Sequence, residues 1–298
     1  NTSGEKNVAV GHAALYTNQT GDFNVAVGTG SLQLLNHEDA DANTAIGHGA
    51  GSGITEGNKN VAVGTYALDA GSGTGSSNTA VGYASLSANT SGGANTALGY
   101  QAGLTQTDGV NNIAVGFNAL RLNQSGDDNT AVGTYALDAN LESDNVAVGY
   151  AAATSNTTGI HNTALGYQAL YTNVDGDKNT AIGYQSLFTM EPSDGTSGNT
   201  GVGFQSGYGI STGLYNTAIG AYALDATSGT GHSNTAIGYQ ALTTTTSGSN
   251  NTALGFQAAH NLSTADNNIA IGLGALYTNS DGDANVAVGY DALKYTTS

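Results

Sequence analysis

The chain of 298 residues has no cysteine, no tryptophan, one proline, one methionine and five cationic side chains. Without cysteine there are no disulfides and no thiolate metal sites, and the redox compartment stays open. The five cations, Lys6, Lys59, Arg121, Lys178 and Lys294, are scattered and face 22 Asp and Glu, for a net charge of −17. Such a chain repels phosphate backbones and anionic headgroups, which argues against nucleic acid and membrane surfaces as partners. No run of about 18 apolar residues is present, so no membrane insertion is expected. No signal peptide precedes Asn1, which places any export signal or anchor outside this stretch. Gly does not recur every third residue, which excludes collagen. Leu, Ile, Val and Phe are too sparse for one large globular core. Disorder would suit this composition, were the aliphatic residues not so strictly placed.

What is present is one unit written repeatedly, as in Asn162-Thr163-Ala164-Leu165-Gly166-Tyr167-Gln168-Ala169-Leu170. Its Asn recurs at 7, 24, 43, 60, 78, 95, 112, 129, 145, 162, 179, 199, 216, 234, 251, 268 and 285, with 17 residues the commonest spacing. Taking this Asn as position zero, position one is always Thr, Val or Ile. Position two is Ala in every copy but that of Gly201, position three is Val, Ile or Leu, and position four is Gly. A β-branched, small, aliphatic triplet closed by Gly is a short strand and a corner. Alternation puts positions one and three on one face and position two on the other. The Ala column leaves room for a methyl group, and the never-polar position three is expected to be buried, so both faces should be packed.

After the corner, position seven is Ala or Ser, and position eight is Leu except at Gly51, Gly103, Ala153, Gly207 and Ala259. This segment is expected to be a second short strand, with Ile54, Leu104, Ile210 and Leu262 refilling the space of the missing leucines. A polar loop follows, usually with Gly three residues before the next Asn, where a positive φ would suit a bend. Fixed-period self-similarity of this kind means a solenoid. The expectation is an all-β, parallel β-solenoid of about 17 residues per coil. Residues 1–298 would form a single repeat domain of seventeen coils without evident caps. The Asn column becomes an amide ladder, and length variation falls in the loops. The longest loop, Phe188 to Gly198, holds the only proline, Pro192.

The string Asn-[Thr/Val]-Ala-[Ile/Val/Leu]-Gly-x-x-[Ala/Ser] resembles the head repeats of trimeric autotransporter adhesins and similar repeats of phage tail fibres. The resemblance covers essentially the whole chain. It implies a left-handed parallel β-roll wound as a homotrimer, in an extracellular fibre on a cell surface or virion appendage that attaches to a host. It brings no catalytic residues. The longer period and Leu at position eight depart from the adhesin pattern. Oligomerisation also has a physical argument: a thin coil buries little apolar surface alone, so its aliphatic columns need a partner chain. Small residues are expected inward and aliphatic ones toward the partner.

Sites with chemistry are few. His12, His37, His48, His161, His232 and His260 show no recurring cluster spacing, and no paired carboxylates with a pocket can be named, so no enzyme is expected. Asp175, Asp177, Asp281 and Asp283 form Asp-Gly-Asp loops, weak candidates for a structural Ca2+ set against plain turn chemistry. Asn-x-Ser/Thr at Asn1, Asn18, Asn89, Asn123, Asn156 and Asn261 allows glycosylation, but turn preference explains its recurrence. The main functional expectation is a structural fibre or stalk that holds attachment regions away from an anchor, with head-to-tail stacking open to it. Two alternatives accompany it. Aromatic residues after the corner could bind a host-surface glycan, and the position-one Thr column could bind ice.

Overall fold

The computed structural model describes residues 2–192, 195–226 and 228–295. Asn1, with its sequon, and Ser298 lie outside the described residues. All seventeen triplets form strands, and parallel pairing makes the chain a β-solenoid. The chain falls into two compact units, 1–145 and 146–298. The first unit holds β1 (Val8–Val10) to β8 (Thr130–Val132), and the second β9 (Val146–Val148) to β17 (Val286–Val288). Within each unit every strand pairs in parallel with the next, Ala on Ala, as in Val8↔Val25 and Ala9↔Ala26. The substitution in the Ala column keeps this register, with Gly201 paired to Ala181 and Ala218.

Position two faces the lumen, and Ala45, Ala97, Ala164 and Ala236 are fully buried. Position three is not buried. Ile46 is 43% exposed, Leu98 48% and Leu165 45%, because strand alternation carries positions one and three together to the outside. The sheet is therefore packed on one face only.

The segment after the corner is not a strand either. It is a pair of tight turns in which positions six and eight both take positive φ, as at Gln168 (52°) and Leu170 (54°). The Ala169 N–H donates back to the Gly166 carbonyl (3.4 Å), closing the first turn. This geometry turns position eight inward. Leu32, Leu120, Leu170 and Leu242 are fully buried, so the lumen holds leucines as well as small residues. Where position eight is Gly, the residue at position eleven fills the space. Ile54 and Ile210 approach Gly51 and Gly207, and both are buried, as is Leu262 after Ala259. Leu104 stays half-exposed outside, and the buried residue of that coil is Gln106.

The loop glycines are not there for positive φ; that conformation belongs to the residue just before each Asn, such as Lys59, Ala94 or Tyr215. They answer to a close approach instead. A Cβ at Gly21 would lie 2.8 Å from the Ala40 carbonyl oxygen and 2.9 Å from Asn18 Oδ1. The corner glycines meet both constraints. At Gly116 φ is +137°, and a Cβ would lie 2.6 Å from the Gly133 oxygen of the next coil. Gly116→Ala should therefore cost roughly 3 kcal/mol or more in chemical denaturation. Gly30→Ala should cost only about 1 kcal/mol, since Ala13 holds the equivalent conformation at φ 56°.

Candidate functional site

Three columns of polar side chains bind the coils to one another. The first is the Asn column at position zero. Asn112 Oδ1 accepts the Asn129 backbone N–H (2.9 Å), and Asn112 Nδ2 donates to the Gly126 carbonyl of the following loop (2.8 Å). The pattern recurs at Asn24, with Asn43 N–H and Ala40, and at Asn234, with Asn251 N–H and Gly248. An acceptor and a donor are both needed on one short, planar side chain, and only Asn supplies them at this reach. The amide ladder thus runs mainly from side chain to backbone; direct side-chain pairs, such as Asn179 Nδ2 to Asn162 Oδ1 (3.1 Å), supplement it.

The second column lies two residues before each Asn. Where that residue is Asp, and at several Ser, its side chain accepts a backbone N–H from the coil before. Asp22 accepts from Glu5 (2.6 Å), Asp41 from Asp22 (2.6 Å), Asp127 from Val110 (2.7 Å) and Ser143 from Asp127 (2.9 Å). Asp177 accepts from Ile160 (2.9 Å) and Asp283 from Asp266 (2.7 Å), so two of the four proposed calcium ligands serve this column. Asp281 Oδ1 accepts from the Ser280 hydroxyl (3.0 Å). Asp175 Oδ1 is buried without a hydrogen bond, and the Asp175 charge adds to burial in raising the pKa of Glu191. The two Asp-Gly-Asp pairs lie in separate loops. Among the described residues no group of three or more His, Cys, Asp or Glu is arranged to hold a metal ion. The sequence signal for the column was the recurrence of Asp and Ser two residues before Asn, which turn preference alone had obscured.

The third column, at position ten, uses Thr. Thr105 Oγ1 donates to the Arg121 carbonyl (3.0 Å) and Thr172 Oγ1 to that of Phe188 (2.9 Å). Four of the sequon asparagines stand one residue further on. Asn18, Asn89, Asn123 and Asn156 are all buried, and Asn123 exchanges hydrogen bonds with both the N–H and the carbonyl of Gly126. Their recurrence is therefore a loop-closing role in this fold. Asn261 is half-buried, with its Oδ1 2.9 Å from His260 Nδ1.

The outward surface carries the features that face partners. Positions one and three form a continuous β-branched and aliphatic face within each unit. Just beyond the corner run half-exposed aromatic rows. Tyr83, Tyr100 and Phe117 stack at 5.2 and 5.1 Å, with Tyr66 and Tyr135 set edge-on at the two ends. In the second unit Tyr150, Tyr167, Tyr184 and Phe204 stack at 5.0 to 5.2 Å. A further row, missed in the sequence, stands at position nine with Tyr171, Phe188 and Tyr208. Ring faces in these rows cover one another, each pair adding about 0.5–1.5 kcal/mol, so solvent meets their edges. Arg121 reaches one coil along the same position-nine column to hold Asp138 bidentately, at 2.7 and 3.1 Å.

Asn112→Ala leaves the Asn129 N–H and the Gly126 carbonyl unpaired, and should lower stability by roughly 2–4 kcal/mol. Asn112→Asp keeps the acceptor but buries a charge facing a carbonyl. Its raised folded pKa makes it stable below the unfolded pKa and increasingly unstable as pH rises, so urea titration at pH 4 should recover part of the loss seen at pH 7. Asp225 reports the same sign in the native chain. Burial pushes its carboxyl up to about 6, with its own backbone N–H and His260 opposing. Its contribution is thus present below pH 4 and is lost as pH climbs through 6. Asp225→Asn should stabilise the protein at pH 7 by on the order of 1 kcal/mol once solvent screening is allowed for, with the difference vanishing below pH 4. Compared with known proteins, the chain matches no family model and no curated protein.

Proposed function

We propose that the chain is a segment of a structural fibre, wound as a homotrimer, that holds attachment regions of a surface adhesin or viral tail fibre away from their anchor. The observation that carries this reading is the outward face at positions one and three. Every strand presents two β-branched or aliphatic side chains that its own coil leaves partly or largely exposed. An exposed aliphatic face that recurs on every strand of a unit is more continuous than the singly scattered apolar residues of most monomer surfaces. A repeating face of constant chemistry suits an identical chain in the same register. The left-handed winding and the extracellular setting follow from the resemblance of the repeat to adhesin heads. The mixture of Val, Ile and Leu beside the Thr column favours contact with protein over ice. The aromatic rows, with their ring faces already stacked, favour a sealing role over glycan binding.

The reading is tested by mass in solution. Light scattering should give three times the chain mass of 29.6 kDa. Adding Asp at three position-three sites, Ile46→Asp, Leu98→Asp and Leu165→Asp, should produce a monomer that keeps its β circular dichroism. A wild-type chain that is monomeric at micromolar concentration would sink the proposal.

A further inference from the structure

The surface rows beyond the corner are interrupted over three successive coils at the start of the chain, the longest such gap in the sequence. In the first three coils position five is His12, Thr29 and His48 in place of Tyr or Phe, and position six is Ala13, Gly30 and Gly49. Tyr66 then resumes the surface on the fourth coil. The backbone does not demand glycine here. Ala13, Tyr66, Gln101, Tyr135, Gln168 and Gln240 hold the same position at φ 52–59°, beside 67° for Gly30 and 65° for Gly49. What glycine does at Gly30 is leave out a side chain where other coils carry Gln, Tyr, Ala, Asn or Asp, and at Gly49 it admits the Tyr66 ring. The result is an open notch of about 310 Å3.

The notch has a floor of Gly30 and Gly49 backbone and walls made by His12, Thr29, Gln33, His48, Ser52 and Tyr66. The Tyr66 ring leans over Gly49, where a Cβ would lie 3.0 Å from its Cδ1, and packs edge-on against His48 with centroids 5.3 Å apart. The Gln33 amide leans over Gly30, its Oε1 3.4 Å from where a Cβ would stand. Two imidazoles and the Tyr66 phenol therefore stand beside the Gln33 amide and the hydroxyls of Thr29 and Ser52.

The lining chemistry selects the ligand class. No Lys or Arg lines the notch, and the chain carries −17 overall, so an anion is repelled. No carboxylate lines it, and His12 and His48 stand on coils separated by a third, so a cation finds no close ligand set. A neutral ligand rich in hydroxyls satisfies the mixed donors and acceptors, and a C–H face of it can lie on an aromatic ring. The volume is at the small end of ligand clefts, which run from ~300 Å3 upward.

We propose that this notch binds one neutral sugar residue, free or at the end of a glycan. The site adjoins one end of a stacked row, sharing Tyr66 with it, and its lining comes from a single chain. The test is saturation-transfer NMR with the methyl glycosides of glucose, galactose, mannose and N-acetylglucosamine, followed by titration of any that respond. The native chain should bind at least one of them, and Gly49→Gln, which takes the backbone conformation of Gln168 and crowds the Tyr66 ring in the notch, should weaken that binding by about tenfold or more. Gln240→Ala, in the second unit, should bind as the native chain does. Thr29→Tyr fills the same notch from position five and replaces Gly49→Gln if the latter loses its circular dichroism. No transfer to any glycoside, or equal binding by the filled variants, overturns the proposal.

Discussion

Each coil depends on the amide at position zero. Its oxygen accepts the N–H of the next coil's Asn, just before the strand, and its nitrogen holds a carbonyl of the loop that leads into that Asn, as Asn112 does with Asn129 and Gly126. Both partners lie in a dry corner, where an unmatched polar group costs about 1–3 kcal/mol. The column therefore propagates: an amide in one coil is useful only if the adjacent backbone is at one strand spacing. The corner glycines enforce the same spacing sterically, since glycines such as Gly116, Gly166 and Gly238 sit too close to the glycine of the neighbouring coil to carry a side chain. Strands of three residues are too short to hold a sheet by themselves. Here the corners hold them.

That arrangement sets how much apolar surface can be buried. The lumen is narrow: Ala at position two, Ala or Ser at position seven, Leu at position eight and a mixed residue at position eleven fill it. The outer side of the same strands receives nothing from its own coil. A solenoid built this way converts a one-dimensional repeat into a surface of constant chemistry, along which a partner can match any number of coils. The departures from constancy are then the informative places, and the gap at Gly30 and Gly49 is one of them.

The strands, their register and the Ala-lined interior were legible in the residues, because a column that accepts only Ala and a column that accepts only Asn each state a spatial limit. The turn pair after the corner was not legible. Its alternation of variable and fixed residues has the look of a strand, and non-glycine residues such as Gln168 and Leu170 carry positive φ there without any compositional mark. Misreading that segment also misplaced position eight, since a turn directs Leu170 inward where a strand could have sent it either way. The loop glycines misled in the opposite direction. Glycine is associated with positive φ, yet Gly21 and Gly109 answer to the crowding of a neighbouring carbonyl. The notch was invisible for a related reason: Gly30 and Gly49 look like ordinary turn glycines until Gln168 and Tyr135 are found in the same backbone conformation.

By itself the sequence determined the period, the strand triplets and the amide column, because each is a local rule repeated until it admits one arrangement. Tertiary structure alone decided which aliphatic residues face in. Position three and position eight are equally apolar, and only the path of the chain through two left-handed turns sends Leu170 to the lumen and leaves Leu165 outside. Direction of that kind belongs to backbone angles, which composition does not encode at residues other than glycine and proline.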